Sequence, residues 1–237
     1  MNIVSVMAHQ DDELMCLGTM LKMKEMGHAL SFICLTDGAT GMVHKPDMPR
    51  DEAASIRERE MNGLAAALDA RYICLGEPDE FLYDTPAVRM ALIQSLRHTK
   101  ADVVFTHFTT DYNIDHMTVP VLVRQCAMQA PFPMLRTAAP PLPVTPAVFH
   151  VEPSGGFEFE PSHYVDITGV FPRKLELSLY HKSQDDAFLA ANGAGGGIVS
   201  WITATAARRG AQCGVLYAEA FRPMLSRGFV KPYSILP

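Results

Sequence analysis

The sequence predicts an α/β fold: a Rossmann-like, mostly parallel sheet flanked by helices, with a C-terminal extension that caps the active site. Apolar, β-branched runs alternate with segments of helical periodicity through residue 130, a pattern typical of right-handed βαβ units. The apolar runs are almost uninterrupted, which indicates strands that are buried on both faces. We expect a single domain over residues 1–237, with a core in 1–130 and cap elements in 131–237.

The predicted elements alternate regularly along the core. Strands are predicted at 2–8, 29–35, 71–75 and 101–106, and helices at 12–26, 51–68, 86–98 and from about 116 to 129. In the first helix Leu14, Leu17 and Leu21 form one apolar stripe, and Gly27 ends it. Each helix therefore has the length and spacing of a crossover between parallel strands.

The regular alternation of strands and helices stops after residue 130. Six prolines between residues 131 and 146 exclude a central strand or a helix and predict a long surface connection. Further strands are predicted at 148–151 and 164–167, and helices at 171–183 and 198–209, with a glycine-rich loop at 192–197 before the last helix.

Composition excludes several classes of protein. The net charge of -6 and the lack of a basic run argue against nucleic-acid binding. No apolar window has the length of a membrane span, and no signal peptide is apparent. The five cysteines are scattered without a CxxC pair, which favours buried thiols of a cytoplasmic protein over disulfides or a thiolate metal site. A metal would need histidine and carboxylate ligands.

Polar side chains follow the predicted strands and suggest such a metal site. His9 and Asp12 come after the first strand, and His116 follows the fourth. The carboxyl ends of parallel strands share one edge of a sheet, so these three residues are a plausible ligand set for a catalytic zinc with one open position. Asp11 is free to act as general base, and Asp115 to orient an imidazole. Each motif alone is common in proteins where it has no function. Their shared position at one edge of the sheet favours a metal site.

The motifs also resemble those of a known family. Residues 8–13 (Ala-His-Gln-Asp-Asp-Glu) and 113–116 (Asn-Ile-Asp-His) are similar to the A/P-H-P-D-D-E and H-P-D-H motifs of the LmbE-like, or PIG-L, family of zinc-dependent N-deacetylases. Further similarities occur at 36–41, 57–60, 75–79 and 174–184, and a weaker one occurs at 218–221. The resemblance implies hydrolysis of an N-acetyl group, usually from an amino sugar. It implies His9, Asp12 and His116 as zinc ligands and Asp11 as base. It also implies Asp115 as a carboxylate that orients a zinc-bound imidazole, and Arg57 as a substrate contact.

Two positions depart from the family pattern. Gln10 replaces a proline that only stiffens the turn. Asn113 stands where the family more often has a histidine that acts as an acid or stabilises an oxyanion; asparagine can donate a hydrogen bond but cannot shuttle a proton. Candidate substitutes are His181, His107 and Tyr112, of which His181 lies in a family-like motif. The alternative interpretation of His181 is a surface histidine on a helix.

The sequence thus predicts a zinc-dependent hydrolase that removes an N-acetyl or other N-acyl group from an amino sugar or glycoside. Fe²⁺ is an alternative metal, and Asp37, at the end of the second strand, is either a substrate contact or a turn residue. Two other functions stay open: a phosphoesterase with two cations, and a sugar-binding protein without catalysis. The expected partner is a small N-acetylated amino sugar, with neither nucleic acid nor membrane, and a homo-oligomer is left open.

Overall fold

A seven-stranded sheet runs through the computed structural model, which describes residues 1–225. Its strands are β1 (Asn2–Met7), β2 (Ala29–Thr36), β3 (Arg71–Glu77), β4 (Val103–Thr106), β5 (Ala147–Val151), β6 (His163–Asp166) and β7 (Ala218–Pro223). They lie in the order β3-β2-β1-β4-β5-β7-β6. The first five strands pair in parallel, and β7 pairs antiparallel with both β5 and β6. The predicted mostly parallel α/β fold is confirmed.

Helices cover both faces of this sheet. They are α1 (Leu17–Glu25), α2 (Arg50–Ala67), α3 (Pro86–His98), α4 (Ile114–Gln129), α5 (Phe171–Ser178), α6 (Lys182–Asn192) and α7 (Ile198–Cys213). Alternate side chains of β1 enter two separate apolar clusters: Ile3 and Met7 pack with α1 and α2, whereas Val4 and Val6 pack with α3 and α4. The uninterrupted apolar runs therefore reflect burial on both faces. Among residues 1–225, no helix is both long and apolar enough to span a bilayer.

Three predicted elements differ from the structure. The helix expected over 12–26 is wrong in its first part, because a 3-10 turn (Asp12–Met15) precedes α1. The helix expected over 171–183 is two helices, with a break between Ser178 and Lys182. Strand β7 was not predicted, because its short sequence carries a buried charge, Glu219, which pairs with Lys174 at 2.7 Å.

The C-terminal half completes the same sheet, since β5, β6 and β7 extend it beyond β4. The boundary predicted at residue 130 stays a prediction, and residues 226–237 of the predicted cap lie outside the described residues. The expected connection over 131–146 contains neither helix nor strand.

One buried side chain holds the start of this connection. Arg97 in α3 is 2% exposed. Its guanidinium donates to the carbonyls of Ala130 at 2.8 Å, Phe132 at 2.7 Å and Leu135 at 2.6 Å, and to the Thr137 hydroxyl at 2.7 Å. A segment without secondary structure thereby gains the backbone partners that burial requires.

We expect Arg97→Met to lower the free energy of unfolding by about 3 kcal/mol, because several acceptors lose a charged donor. Urea denaturation measures the change. Arg71→Met is the matched control: Arg71 makes one exposed bond, to the His98 carbonyl at 3.1 Å, and its loss should cost less than about 0.5 kcal/mol. Equal urea midpoints for the two variants would contradict the conclusion that Arg97 anchors the connection over 131–146.

Candidate active site

A cavity of about 250 Å³ opens at the carboxyl ends of β1 and β4. The chain order reverses there, because β1 lies between β2 and β4, and such switch points form the crevices in which open α/β sheets bind ligands. The C-terminal half supplies part of the wall, through Glu152, Gln184, Phe188 and Trp201. The expectation that the extension covers the strand ends is therefore confirmed.

The three predicted metal ligands meet at the floor of this cavity. His9 Nδ1 lies 3.1 Å from His116 Nε2 and 3.3 Å from Asp12 Oδ2, and His116 Nε2 lies 3.3 Å from Asp12 Oδ1. Their ligand atoms all fall within 4.8 Å of one another. Two imidazole nitrogens and a carboxylate are a donor set that zinc and similar divalent metals bind.

The outer nitrogens of both imidazoles face carboxylates. His9 Nε2 lies 2.8 Å from Asp79 Oδ1, and His116 Nδ1 lies 3.2 Å from Asp111 Oδ2. Metal-binding histidines usually have such a partner, which fixes the ring and the tautomer. The donor set therefore fits a metal ion. Asp79 and Asp111 were missed in the sequence, although each follows a strand end as His9 does.

Asp115 lies beside an imidazole of the site, as its motif suggested. Its side chain is fully buried, and Oδ2 lies 3.5 Å from His9 Nε2, so it approaches His9 and not its neighbour His116. Its oxygens also accept hydrogen bonds from the backbone N–H of Glu80 at 2.8 Å and Leu82 at 3.1 Å. It orients His9 and fixes the loop that carries Asp79.

His107 lies beside the ligand set without competing for the metal. Its ring stacks on that of His116, with centroids 4.1 Å apart, and its Nε2 lies 3.2 Å from Asp12 Oδ2. That nitrogen also accepts the backbone N–H of Ala8 at 3.0 Å, which uses the lone pair a metal would need. Two further possible groups each share a histidine with the first. One is His107, Asp111 and His116, and the other is His9, Asp79 and Asp115. Among the described residues, the three groups therefore form one connected cluster around His9 and His116.

The electrostatics of the site favour a bound cation. Burial lowers the pKa of His116, but Asp12 and Asp111 outweigh it and raise that pKa to about 9. Burial also lowers the pKa of His9, but the surrounding carboxylates outweigh this effect and raise that pKa well above its usual value. Burial raises the pKa of Asp12, and the nearby His116 and His107 rings bring it well below the usual value. The carboxylates thus require positive charge between them, which a divalent ion supplies.

Asp11 is held against the cavity wall by its neighbours. Its Oδ1 accepts from Arg57 at 2.8 Å, and its backbone N–H donates to Glu13 Oε2 at 3.0 Å. The backbone has φ 122°, a strained value for a residue with a side chain. Burial raises the pKa of the Asp11 carboxyl, and the Arg57 guanidinium opposes this shift.

His181 lies behind Asp11 and not in the cavity. It is fully buried, and its Nε2 lies 2.7 Å from Glu13 Oε1, whose other oxygen holds the Asp11 N–H. The reading of His181 as a surface histidine is wrong. As a direct catalytic residue it is poorly placed, since it does not line the cavity; its contacts suit a role in positioning Asp11.

Arg57 and Gln10 shape the wall next to Asp11. Arg57 is 1% exposed, lines the cavity and donates also to the Gln10 carbonyl. The Gln10 amide, buried where the family pattern has proline, donates to the Thr36 carbonyl at 3.2 Å and to the Tyr72 hydroxyl at 3.1 Å. Gln10 thus ties the turn to β2 and β3.

Asn113 caps the helix that carries His116. Its Oδ1 accepts the backbone N–H of Asp115 at 2.8 Å and of His116 at 3.2 Å, and its Nδ2 donates to Glu80 Oε1 at 3.0 Å. Asn113 lines the cavity, as does Tyr112, which is 65% exposed.

Asp37 is outside the cavity lining. It pairs with Arg50 at 2.9 Å and accepts the backbone N–H of Ala39 at 3.1 Å. These contacts favour its reading as a turn residue.

Comparison with known proteins gives one family and a set of similar structures. The family model described as PIG-L, GlcNAc-PI de-N-acetylase, matches residues 4–127, just over half of the chain. No curated protein matches the chain in sequence.

Three solved structures illustrate the likeness in fold. N,N'-diacetylchitobiose deacetylase from Pyrococcus horikoshii has 24% identity and a TM-score of 0.78, covering 94% of this chain and 83% of that one. GalB, the 4-carboxy-2-hydroxymuconate hydratase from Pseudomonas putida, has 20% identity and a TM-score of 0.80, covering 98% and 100%. The conserved protein TT1542 from Thermus thermophilus has 28% identity and a TM-score of 0.75, covering 97% and 99%.

We expect the purified protein to bind one zinc ion per chain, measured by elemental analysis after dialysis. Asp12→Ala and His116→Ala should lose nearly all of it, because each removes a ligand. Asp79→Asn should weaken binding by roughly 10–100-fold through His9. His107→Gln is the matched control, because an amide oxygen can still accept the Ala8 N–H, and it should keep the ion. Two ions per chain, or loss of metal in His107→Gln, would contradict this assignment.

Proposed function

The chain belongs to the PIG-L family of de-N-acetylases, and from this membership we propose that it removes the N-acetyl group of a small amino sugar with the help of one zinc ion. One observation carries the proposal: His9, Asp12 and His116 converge beside the carboxylate of Asp11 in a cavity. This arrangement supplies a metal site and a general base within one crevice.

His9, Asp12 and His116 would hold the zinc ion, with Asp79, Asp115 and Asp111 behind the two imidazoles. When bound, zinc supplies a Lewis acid that acidifies water and polarises a carbonyl group. Asp11 has no place in that ligand set and faces the same cavity. It is therefore free to exchange protons.

The residues of the chain carry the proton transfers. Asp11 accepts the proton of the attacking water and delivers it to the leaving amine, in a position that Arg57 and Glu13 fix. Tyr112 lines the cavity with its ring edge-on to that of His116, and its hydroxyl is a candidate donor to the developing oxyanion. Asn113 contributes through its helix cap, which uses its Oδ1, while its Nδ2 donates one of its two N–H groups to Glu80.

The charged residues that line the cavity favour an uncharged substrate and a cationic product. Six carboxylates line it, and the only lysine or arginine among the lining residues is Arg57, which is paired with Asp11. The lining carboxylates are Asp11, Asp12, Asp79, Glu80, Asp111 and Glu152. An N-acetyl sugar enters neutral and leaves as an ammonium ion, which this lining favours. A phosphate ester, or the carboxylated compound for which the hydratase is named, would meet like charge.

Acetate release from zinc-loaded protein tests the proposal. The panel comprises N-acetylglucosamine, N-acetylgalactosamine, a simple N-acetylglucosaminide and diacetylchitobiose, with a phosphate monoester and 4-carboxy-2-hydroxymuconate as alternatives. We expect acetate and free amine from at least one sugar. Bound zinc without turnover of any N-acetyl compound would overturn the proposal and leave a sugar-binding role, and turnover of either alternative substrate instead would replace it.

We expect Asp11→Asn to lower kcat by at least about 100-fold while one zinc stays bound, because the amide cannot accept the proton. Steady-state kinetics and elemental analysis measure the two effects. The matched control is Asp37→Asn, the same change outside the cavity, which should alter kcat/KM by less than about threefold. Near-normal turnover in Asp11→Asn would exclude Asp11 as the base, and a large rise in KM for Asp37→Asn would restore Asp37 as a substrate contact.

A further inference from the structure

Two aromatic rings form one wall of the cavity. Phe188 from α6 and Trp201 from α7 stack with centroids 5.6 Å apart and ring planes 29° from parallel, and both line the cavity. Trp201 is the only tryptophan of the chain. Both side chains are partly exposed, so they present aromatic surface to the cavity in addition to packing together.

The rest of the lining is mostly polar. Thr40, Glu80, Asn113 and Gln184 offer hydroxyl, carboxylate and amide groups in the same cavity as the aromatic wall. A pyranose ring has the matching chemistry, because its faces carry C–H groups and its rim carries hydroxyls. An open-chain polyol or a simple alkyl amide lacks such an apolar face.

The size of the cavity limits what can stack there. A volume of about 250 Å³ is below the range of roughly 300–1,000 Å³ typical of pockets for drug-sized ligands. It suits one sugar ring with its acetamido group. A second ring or a large aglycone would extend towards solvent.

The two helices that carry the rings are joined to each other, and α7 is also anchored to the cavity wall. Asp185 Oδ1 in α6 accepts the Ile198 N–H at the start of α7 at 2.9 Å. A Cβ on Gly197 would lie 2.6 Å from that oxygen, so glycine is needed for this approach. Near the other end of α7, Arg209 pairs with Glu152 through two bonds of 2.7 and 2.8 Å, and Glu152 itself lines the cavity. The aromatic wall is thus fixed relative to the polar one.

We propose that Phe188 and Trp201 are a stacking platform for the apolar face of a single pyranose ring, so that the site selects cyclic amino sugars over open-chain N-acetyl compounds. The proposal rests on the proposed function and specifies its substrate class. The platform binds the ring, and the acetamido group then reaches the floor formed by His9, Asp12 and His116.

Because Trp201 is the single tryptophan, its fluorescence reports binding without turnover. Zinc-loaded Asp11→Asn protein is titrated with N-acetylglucosamine and with N-acetylglucosaminitol, which has the same substituents but no ring. We expect the cyclic sugar to change the emission with a Kd at least about tenfold lower than that of the open-chain compound. No emission change with saturating sugar, or equal Kd values, would overturn the platform.

Kinetics with the active enzyme give the second test. Trp201→Leu and Phe188→Leu should each raise KM for N-acetylglucosamine by about tenfold, leave kcat within about threefold, and leave kcat/KM for the open-chain compound unchanged. Phe132→Leu, the same change at an exposed phenylalanine outside the cavity lining, is the control and should have no effect. Equal losses for both compounds would show a merely structural role and contradict the proposal.

The experiments distinguish failure of the proposed deacetylation from failure of the stacking platform. If the wild-type enzyme releases acetate from no N-acetyl compound, the proposed deacetylation fails, and the fluorescence comparison still decides whether a pyranose binds at Trp201. If acetate is released equally well from cyclic and open-chain compounds, deacetylation stands and the platform is excluded.

Discussion

The structure depends on a concentration of buried negative charge around two imidazoles at the end of β1. Asp12, Asp79, Asp111 and Asp115 all approach the rings of His9 and His116 within 3.5 Å. Carboxylates removed from water are costly unless a positive charge accompanies them. A bound metal ion would provide that charge and would leave the imidazoles neutral as ligands. The loops after β1, β3 and β4 are therefore shaped by one electrostatic requirement.

A second constraint places Asp11, the proposed base, beside this charge. The backbone of Asp11 adopts an unfavourable positive φ, and local hydrogen bonds from Arg57 and to Glu13 maintain it. Glu13 is in turn paired with His181, which lies 168 residues further along the chain. The C-terminal half thus contacts Asp11 indirectly, through His181 and Glu13, in addition to forming the aromatic wall of the cavity. His181 does not line the cavity, and it would act on Asp11 only through Glu13.

Much of this could be predicted from the sequence, for identifiable reasons. The periodicity of buried strands and amphipathic helices specified the core, and residues such as His9 and His116 could be placed together because parallel strand ends share an edge. Asp79 and Asp111 were missed because a carboxylate in a loop has no local pattern that distinguishes a ligand's partner from a solvated charge. The burial of His181 and the break before α6 depend on Glu13 and Glu60, which are distant in sequence. Such long-range pairs leave no trace in local propensity.

The most direct test is a zinc-edge anomalous diffraction map of crystals of the zinc-loaded protein. The account predicts one peak per chain, bounded by His9 Nδ1, the Asp12 carboxylate and His116 Nε2, with the Asp11 carboxylate beside it and outside its ligand sphere. A peak held instead by His107 and Asp111, two peaks in the same cavity, or direct ligation by Asp11 would contradict the assignment of ligands and base.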